Sequence, residues 1–124
     1  MKNPPLSLLA AALLAVAFAA QAQMAPATKA ADGTLTDAKG MTLYTFDRDA
    51  AGKSACNGPC ATNWPPLAAA ADAKATGEWT IITRDDGAKQ WAFRGKPVYT
   101  WSKDSKAGDK TGDGVNGVWH TAKE

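Results

Sequence analysis

Cys56 and Cys60 are the only cysteines of this 124-residue chain, and they stand in the stretch CNGPC. Reduced, they are soft metal ligands; oxidised, they close a small ring. Joined by His120, the single histidine, a reduced pair would make a three-ligand set suited to copper(I). Met41 and Met24 are the other soft ligands outside the apolar N-terminal stretch. A thiol-redox role draws on the same residues, but C-x-x-x-C matches neither the thioredoxin-type motif nor a haem attachment site. In an oxidising compartment the expected state is a Cys56–Cys60 disulfide. Chain entropy makes so small a ring worth about 2 kcal/mol, enough to pin a loop but not to hold a fold.

A second set of ligand types is made of oxygen. The stretch DSKAGDKTGDGVNGVW carries Asp104, Asp109, Asp113 and Asn116 among four glycines. Calcium takes such ligands from flexible loops. The spacing is not that of an EF-hand, and Asp/Gly turns form without any ion. Asp85 and Asp86 are adjacent carboxylates, but they sit in a turn and read as solvated. For catalysis the sequence has no Gly-x-Ser-x-Gly, no His-x-x-x-His and no phosphate-binding glycine loop. One histidine without a nucleophile fills none of the paired roles that acid–base or covalent chemistry needs. The reading is a non-enzyme without a cofactor, with copper or calcium as the candidate ions and a thiol oxidoreductase as the residual enzymatic option.

The N-terminus frames where this chemistry would operate. Lys2 is followed by an apolar run from Leu6 to Ala20 and by Ala20-Gln21-Ala22, the parts of a secretory signal peptide. The run is shorter than the roughly 20 apolar residues of a membrane span. Cleavage is expected after Ala22, which gives a periplasmic or secreted product. No cysteine follows the run to take a lipid, so no anchor is expected. Removing Lys2 with this leader takes the 14 basic residues to 13, against 12 acidic ones. So balanced a charge, scattered along the chain, offers no footprint for nucleic acid or for an anionic bilayer. The partner left open is another envelope protein or a small ligand.

The elements that must position these groups are announced by a repetition. LYTFDRD (Leu43–Asp49) returns as VYTWSKD (Val98–Asp104), 55 positions on. In the same register Gly40 meets Gly95, Tyr44 meets Tyr99, Phe46 meets Trp101, Asp49 meets Asp104 and Trp64 meets Trp119. An internal duplication of this kind calls for a two-unit architecture, and two copies are too few for a solenoid. Residues 1–22 are the signal peptide and 23–32 a mobile leader. A single domain covers 33–124, with repeat 1 at about 33–67, a connector at 68–77 and repeat 2 at about 78–122.

Tyr, Trp, Thr, Val and Ile dominate the runs around the turns, which predicts short antiparallel strands. Asp37–Gly40 is a turn in the first unit. Glu78–Arg84, Lys89–Phe93 and Val98–Trp101 form a meander in the second, with turns at Asp85–Gly87 and Arg94–Pro97. A last strand covers Val118–Thr121. Leu67–Ala75 is a connector and Pro59–Trp64 a single helical turn with Pro at its start. The fold class is all-β: a small antiparallel domain of two pseudo-symmetric tandem repeats with long loops and at most one or two helical turns.

Strand alternation puts Tyr44 and Phe46 on one face and Leu43, Thr45 and Asp47 on the other, and likewise in the second copy. Tyr44, Phe46, Tyr99, Trp101, Trp64 and Trp119 are expected to build the core. Asp49 and Asp104 fall just past their strands. There each would bond turn N–H groups or accept the hydroxyl of a buried Tyr. The rival reading is an aromatic-walled ligand site rimmed by those two carboxylates, as carbohydrates or cations would use.

The two phrases resemble the Y-x-[FWY]-x-x-D motif of a family of bacterial secreted and lipoprotein-like proteins that carry this repeat. CNGPCATNWPPL and DDGAKQWAFRGKPVYTW are similar to its other typical stretches, so the resemblance runs from about Gly33 to His120. It implies two tandem repeats and an envelope location, and it implies no biochemical activity. The chain departs from the family's lipoproteins in lacking a lipid-bearing cysteine.

Overall fold

The structure, a computed structural model, describes residues 26–124; the apolar leader and its cleavage point lie outside them. The fold is organised about the repeated phrase. Tyr44 N–H donates to the Tyr99 carbonyl at 2.8 Å, and Tyr99 N–H returns the bond to Tyr44 at 2.9 Å. A reciprocal antiparallel pair of this kind is locally two-fold symmetric. The symmetry spreads outward from it.

The strands are β1 (Thr28–Lys29), β2 (Leu35–Thr36), β3 (Tyr44–Phe46), β4 (Trp79–Thr83), β5 (Lys89–Phe93), β6 (Lys96–Pro97) and β7 (Trp119–Thr121). A single-turn helix α1 covers Pro59–Asn63, and a 3-10 turn covers Val115–Gly117. All pairing is antiparallel: β1 with β2, β3 with β7, and β4–β5–β6 as a meander.

Each repeat lends its last segment to the other. β7 of the second copy lies on β3 of the first, with Tyr44 opposite Thr121 and Phe46 opposite Trp119. In the twin, Asn63–Leu67 of the first copy lies along Val98–Ser102 of the second. The bonds from Asp47 N to Val118 O and from Ala122 N to Leu43 O reappear from Ser102 N to Asn63 O and from Leu67 N to Val98 O. The second pairing is a bridge rather than a ladder. Pro65 accepts from Thr100 but has no N–H to return.

Four expectations need correction. The segment read as a mobile leader is paired from Thr28, with Thr28 opposite Thr36 and Lys29 opposite Leu35. The turn after β5 is only Arg94–Gly95, at φ 52° and 82°. Two positive φ values make the tight hairpin whose twist suits the flanking strands, so Lys96 and Pro97 are already strand. Val98–Trp101 does not extend the meander; Tyr99 leaves it to bridge Tyr44 on one side and Pro66 on the other. The strand foreseen at Val118–Thr121 begins instead at Trp119, because Val118 caps the 3-10 turn.

Alternation at the centre divides the interior in two. Leu43 and Val98 join Leu35, Trp79, Phe93 and Ala122 in one apolar cluster. Tyr44 and Tyr99 point the other way, into a cluster with Cys56, Trp64 and Trp119.

Candidate functional site

The repeated aromatics form a pile of rings. Phe46 stacks on Trp119 (centroids 4.2 Å apart), Trp119 on Trp64 (3.7 Å) and Trp64 on Trp101 (3.9 Å). Tyr44 meets Trp64 edge-on at 5.4 Å and Tyr99 meets Trp119 at 5.2 Å. Every one of these contacts joins its symmetry partner or maps onto it. The two inner tryptophans come from opposite copies and are 4% and 3% exposed. Phe46 and Trp101 close the ends half-buried. Gly112 lies against the pile so closely that a Cβ there would sit 2.8 Å from Trp64.

The Asp of each motif reaches the Tyr of the other. The Tyr44 hydroxyl donates to Asp104 and the Tyr99 hydroxyl to Asp49, both at 2.7 Å. The second carboxylate oxygens hold loop backbone: Asp49 accepts from Ala55 N at 2.7 Å, and Asp104 accepts from Thr111 N at 3.0 Å and from its hydroxyl at 2.6 Å. Each carboxylate thus bonds loop backbone and a buried Tyr hydroxyl at once. Burial, then the neighbouring carboxylate, pushes the Tyr44 phenol well above its ordinary range. Burial does the same for Tyr99, with Asp49 adding to it and Ser54 opposing. Burial also raises Asp49.

Arg84, which sequence reasoning missed, is buried beside Tyr99. Its guanidinium donates to Ser54 Oγ at 3.0 Å, to Gln90 Oε1 at 2.8 Å and to the carbonyl of Cys56. Gln90, equally unforeseen, passes the chain on to Val98 O at 2.9 Å. Arg84 lies two positions after buried Ile82 and so shares its inward side.

The metal candidates are not brought together. Cys56 and Cys60 are joined as a disulfide, Sγ–Sγ 2.05 Å, so the thiols the copper set requires are absent. His120 lies on the exposed side of β7 with Nε2 2.8 Å from Asp47. Asp109 accepts from Ser105 N, Lys106 N and Lys106 Nζ, which hold its carboxyl down to about 2. Asp113 takes Thr121 N, and Asn116 supplies a positive φ of 53° within the 3-10 turn. Among the described residues, no three His, Cys, Asp or Glu side chains are grouped to hold an ion. Asp85, read as merely solvated, ties the disulfide loop through Lys53 at 3.0 Å and Asn57 at 3.2 Å, while Asp86 closes its own turn through Ala88 N.

A concavity lies outside this framework. It runs between the outer side of β3 and β7 and the Arg94–Gly95 turn, with a volume of about 340 Å³ lined by Thr45, Asp47, Arg94, Lys96, His120 and Lys123. It continues past Phe46 and Pro97 into a further 280 Å³ that shares Thr45, Asp47, Arg94 and Lys96.

Among the described residues, no helix is long and apolar enough to cross a membrane. No curated protein and no solved structure matches this chain. A family model does, twice, over residues 27–68 and 80–123. Each match covers one of the two symmetric halves and contains one crossed Tyr–Asp motif. The chain therefore belongs to the Lipoprotein_15 family, a secreted repeat of unknown function.

Proposed function

We propose that the protein is a non-catalytic binding module of the cell envelope, periplasmic or secreted after cleavage near Ala22. Its motif residues are spent on joining the two copies, and its recognition surface is the groove beside β3. One observation carries this reading: the crossed Tyr–Asp pairs consume the polar ends of the motif while stacking consumes its rings. What could have walled a ligand site is already packed against its twin. Tyr44 and Tyr99 are 0% exposed, and Trp64 and Trp119 nearly so, which closes these four rings to a sugar or a cation.

The alternative, a copper or thiol-redox protein using Cys56, Cys60 and His120, draws no support from the geometry. The two sulfurs are bonded to each other, and His120 is engaged by Asp47.

Protein purified natively from the periplasm and examined by intact mass, thiol titration and metal analysis separates these readings. The binding module predicts a mature chain starting at Gln23, two blocked thiols and no stoichiometric copper. Two free thiols with bound copper would replace it by the metal reading.

A further inference from the structure

The duplication supplies an internal control. Positions that the fold requires hold similar residues in both halves: Tyr44 and Tyr99, Asp49 and Asp104, Trp64 and Trp119, Gly40 and Gly95. Around the groove the halves part. Asp47, Lys96, His120 and Lys123 have Ser102, Met41, Pro65 and Ala68 as their twins, 55 positions away in each case. Of the five ionisable side chains in the concavity these four have no ionisable counterpart, and the fifth, Arg94, has Lys39. The twin positions sustain the equivalent backbone bonds, short of the one Pro65 cannot donate, without any of these four charges, so that pairing does not require them.

Shape differs as charge does. At the twin position the second long loop narrows the space: a Cβ at Gly40 would lie 3.0 Å from the Ala107 methyl. At Gly95, on the rim of the charged groove, such a Cβ meets nothing within 4 Å. The difference lies in the loop residue: the Ala107 methyl stands against Gly40, whereas its twin Gly52, which donates to the Gly95 carbonyl at 2.8 Å, has no side chain and leaves the charged groove roomier there.

Its lining sets three cations against one carboxylate. Arg94 binds Glu78 through Nε at 2.8 Å and lies over the Phe93 ring, which fixes its guanidinium at the rim. Among the described residues, Lys96 and Lys123 have no carboxylate within ion-pair distance. Asp47 is held by His120 at 2.8 Å. Two unpaired ammonium groups and a fixed guanidinium in a cavity of small-molecule size are the complement of an oxyanion.

Building on the binding-module reading, we propose that this groove takes a small ligand through a carboxylate or phosphate group. Lys96 and Lys123 supply its charge, Arg94 its fixed rim and the His120–Asp47 pair its floor. A free solute and a lipid headgroup offer the same phosphate chemistry, so the test has an arm for each.

The full mature protein, isotopically labelled, is titrated with inorganic phosphate and with citrate while amide shifts are followed. Saturable shifts confined to Thr45, Asp47, Arg94–Lys96 and His120–Lys123 are expected. Phosphatidylglycerol vesicles, with phosphatidylcholine vesicles as control, read the headgroup arm by co-sedimentation. The Lys96→Ala/Lys123→Ala variant should bind the effective probe at least tenfold more weakly, while Lys39→Ala, the twin position of Arg94, should leave it unchanged. Both variants replace exposed side chains, and an unchanged amide spectrum verifies their fold. Shifts scattered over the surface lysines, no saturation, or equal loss in Lys39→Ala would overturn the proposal. If an uncharged envelope solute moves the groove amides while both anions and the vesicles fail, the binding module survives and the anion specificity does not.

Discussion

The two long loops stand at symmetry-related places and face the same task. Each must carry a motif Asp back to the tyrosine of the other half, and they are secured by different means. The first, after Asp49, is closed by the Cys56–Cys60 disulfide and rests on the buried guanidinium of Arg84, which binds Ser54 and the Cys56 carbonyl. The second, after Asp104, has neither. Its Asp109 gathers the backbone of Ser105 and Lys106, and its Gly112 lies flat on the Trp64 and Trp101 rings while donating to the Tyr44 hydroxyl at 3.2 Å. The contrast separates what the architecture demands from how it is met. The Tyr–Asp bond and the ring pile occur in both halves. The clamp on the loop is interchangeable, because any device that holds the backbone near the tyrosine will do.

Four experiments bear on this division. If the pile is the shared element, either half of it should be equally sensitive. Trp64→Ala and Trp119→Ala each remove a central ring and are expected to cost about 3–5 kcal/mol, read as nearly equal losses in a denaturant melt. A large inequality between them would break the symmetry.

The tyrosines should show where the loops differ. Tyr44→Phe strips the buried Asp104 of a partner and Gly112 N–H of its acceptor, an expected loss of about 2–3 kcal/mol for groups left unsatisfied. Tyr99→Phe should cost about 1 kcal/mol, since Ser54 keeps Arg84 and Asp49 is only half-buried. Both phenols ionise at higher pH folded than unfolded. Their contribution is therefore full below the ordinary value of 10.0 and drains away as pH rises above it. They are the only tyrosines in the chain. Phenolate absorbance should thus stay silent past pH 10 and then appear together with unfolding, and a separate, earlier titration would contradict their burial.

Removal of the disulfide tests the interchangeability. Cys56→Ser/Cys60→Ser should lower stability by about 2 kcal/mol. Amide exchange should quicken in the first loop while the second stays protected.

The smallest effect belongs to the second loop. The Asp109 carboxyl is held down to about 2, so its stabilisation is complete above the usual carboxylate range and is lost as pH falls from there toward 2. Asp109→Asn should flatten that part of the acid melting profile and lower the neutral and alkaline parts by a constant amount.

Much of the frame could be read before any coordinates. The repeated phrase announced two like halves, strand-forming composition announced short antiparallel pairs, and Pro59 marked a helical turn. Val98–Trp101 misled because β propensity cannot say which partner a strand chooses. Arg84 and Gln90 went unnoticed because a polar residue on a strand counts as surface until its face is known to be buried. The charged groove was invisible too, since Lys96, His120 and Lys123 are scattered along the sequence and only the crossing of β7 onto β3 collects them.

The spacing of like residues was sufficient to establish duplication, the two faces of the central strands and the closeness of Cys56 to Cys60, because these are local properties of the chain. The crossed partnership of Tyr44 with Asp104 and of Tyr99 with Asp49 could be chosen only in three dimensions. A motif written twice can be satisfied within each copy or between copies, and the same residues serve both. Exchange of the final strands decides it here, since it sets each tyrosine beneath the loop of the opposite half.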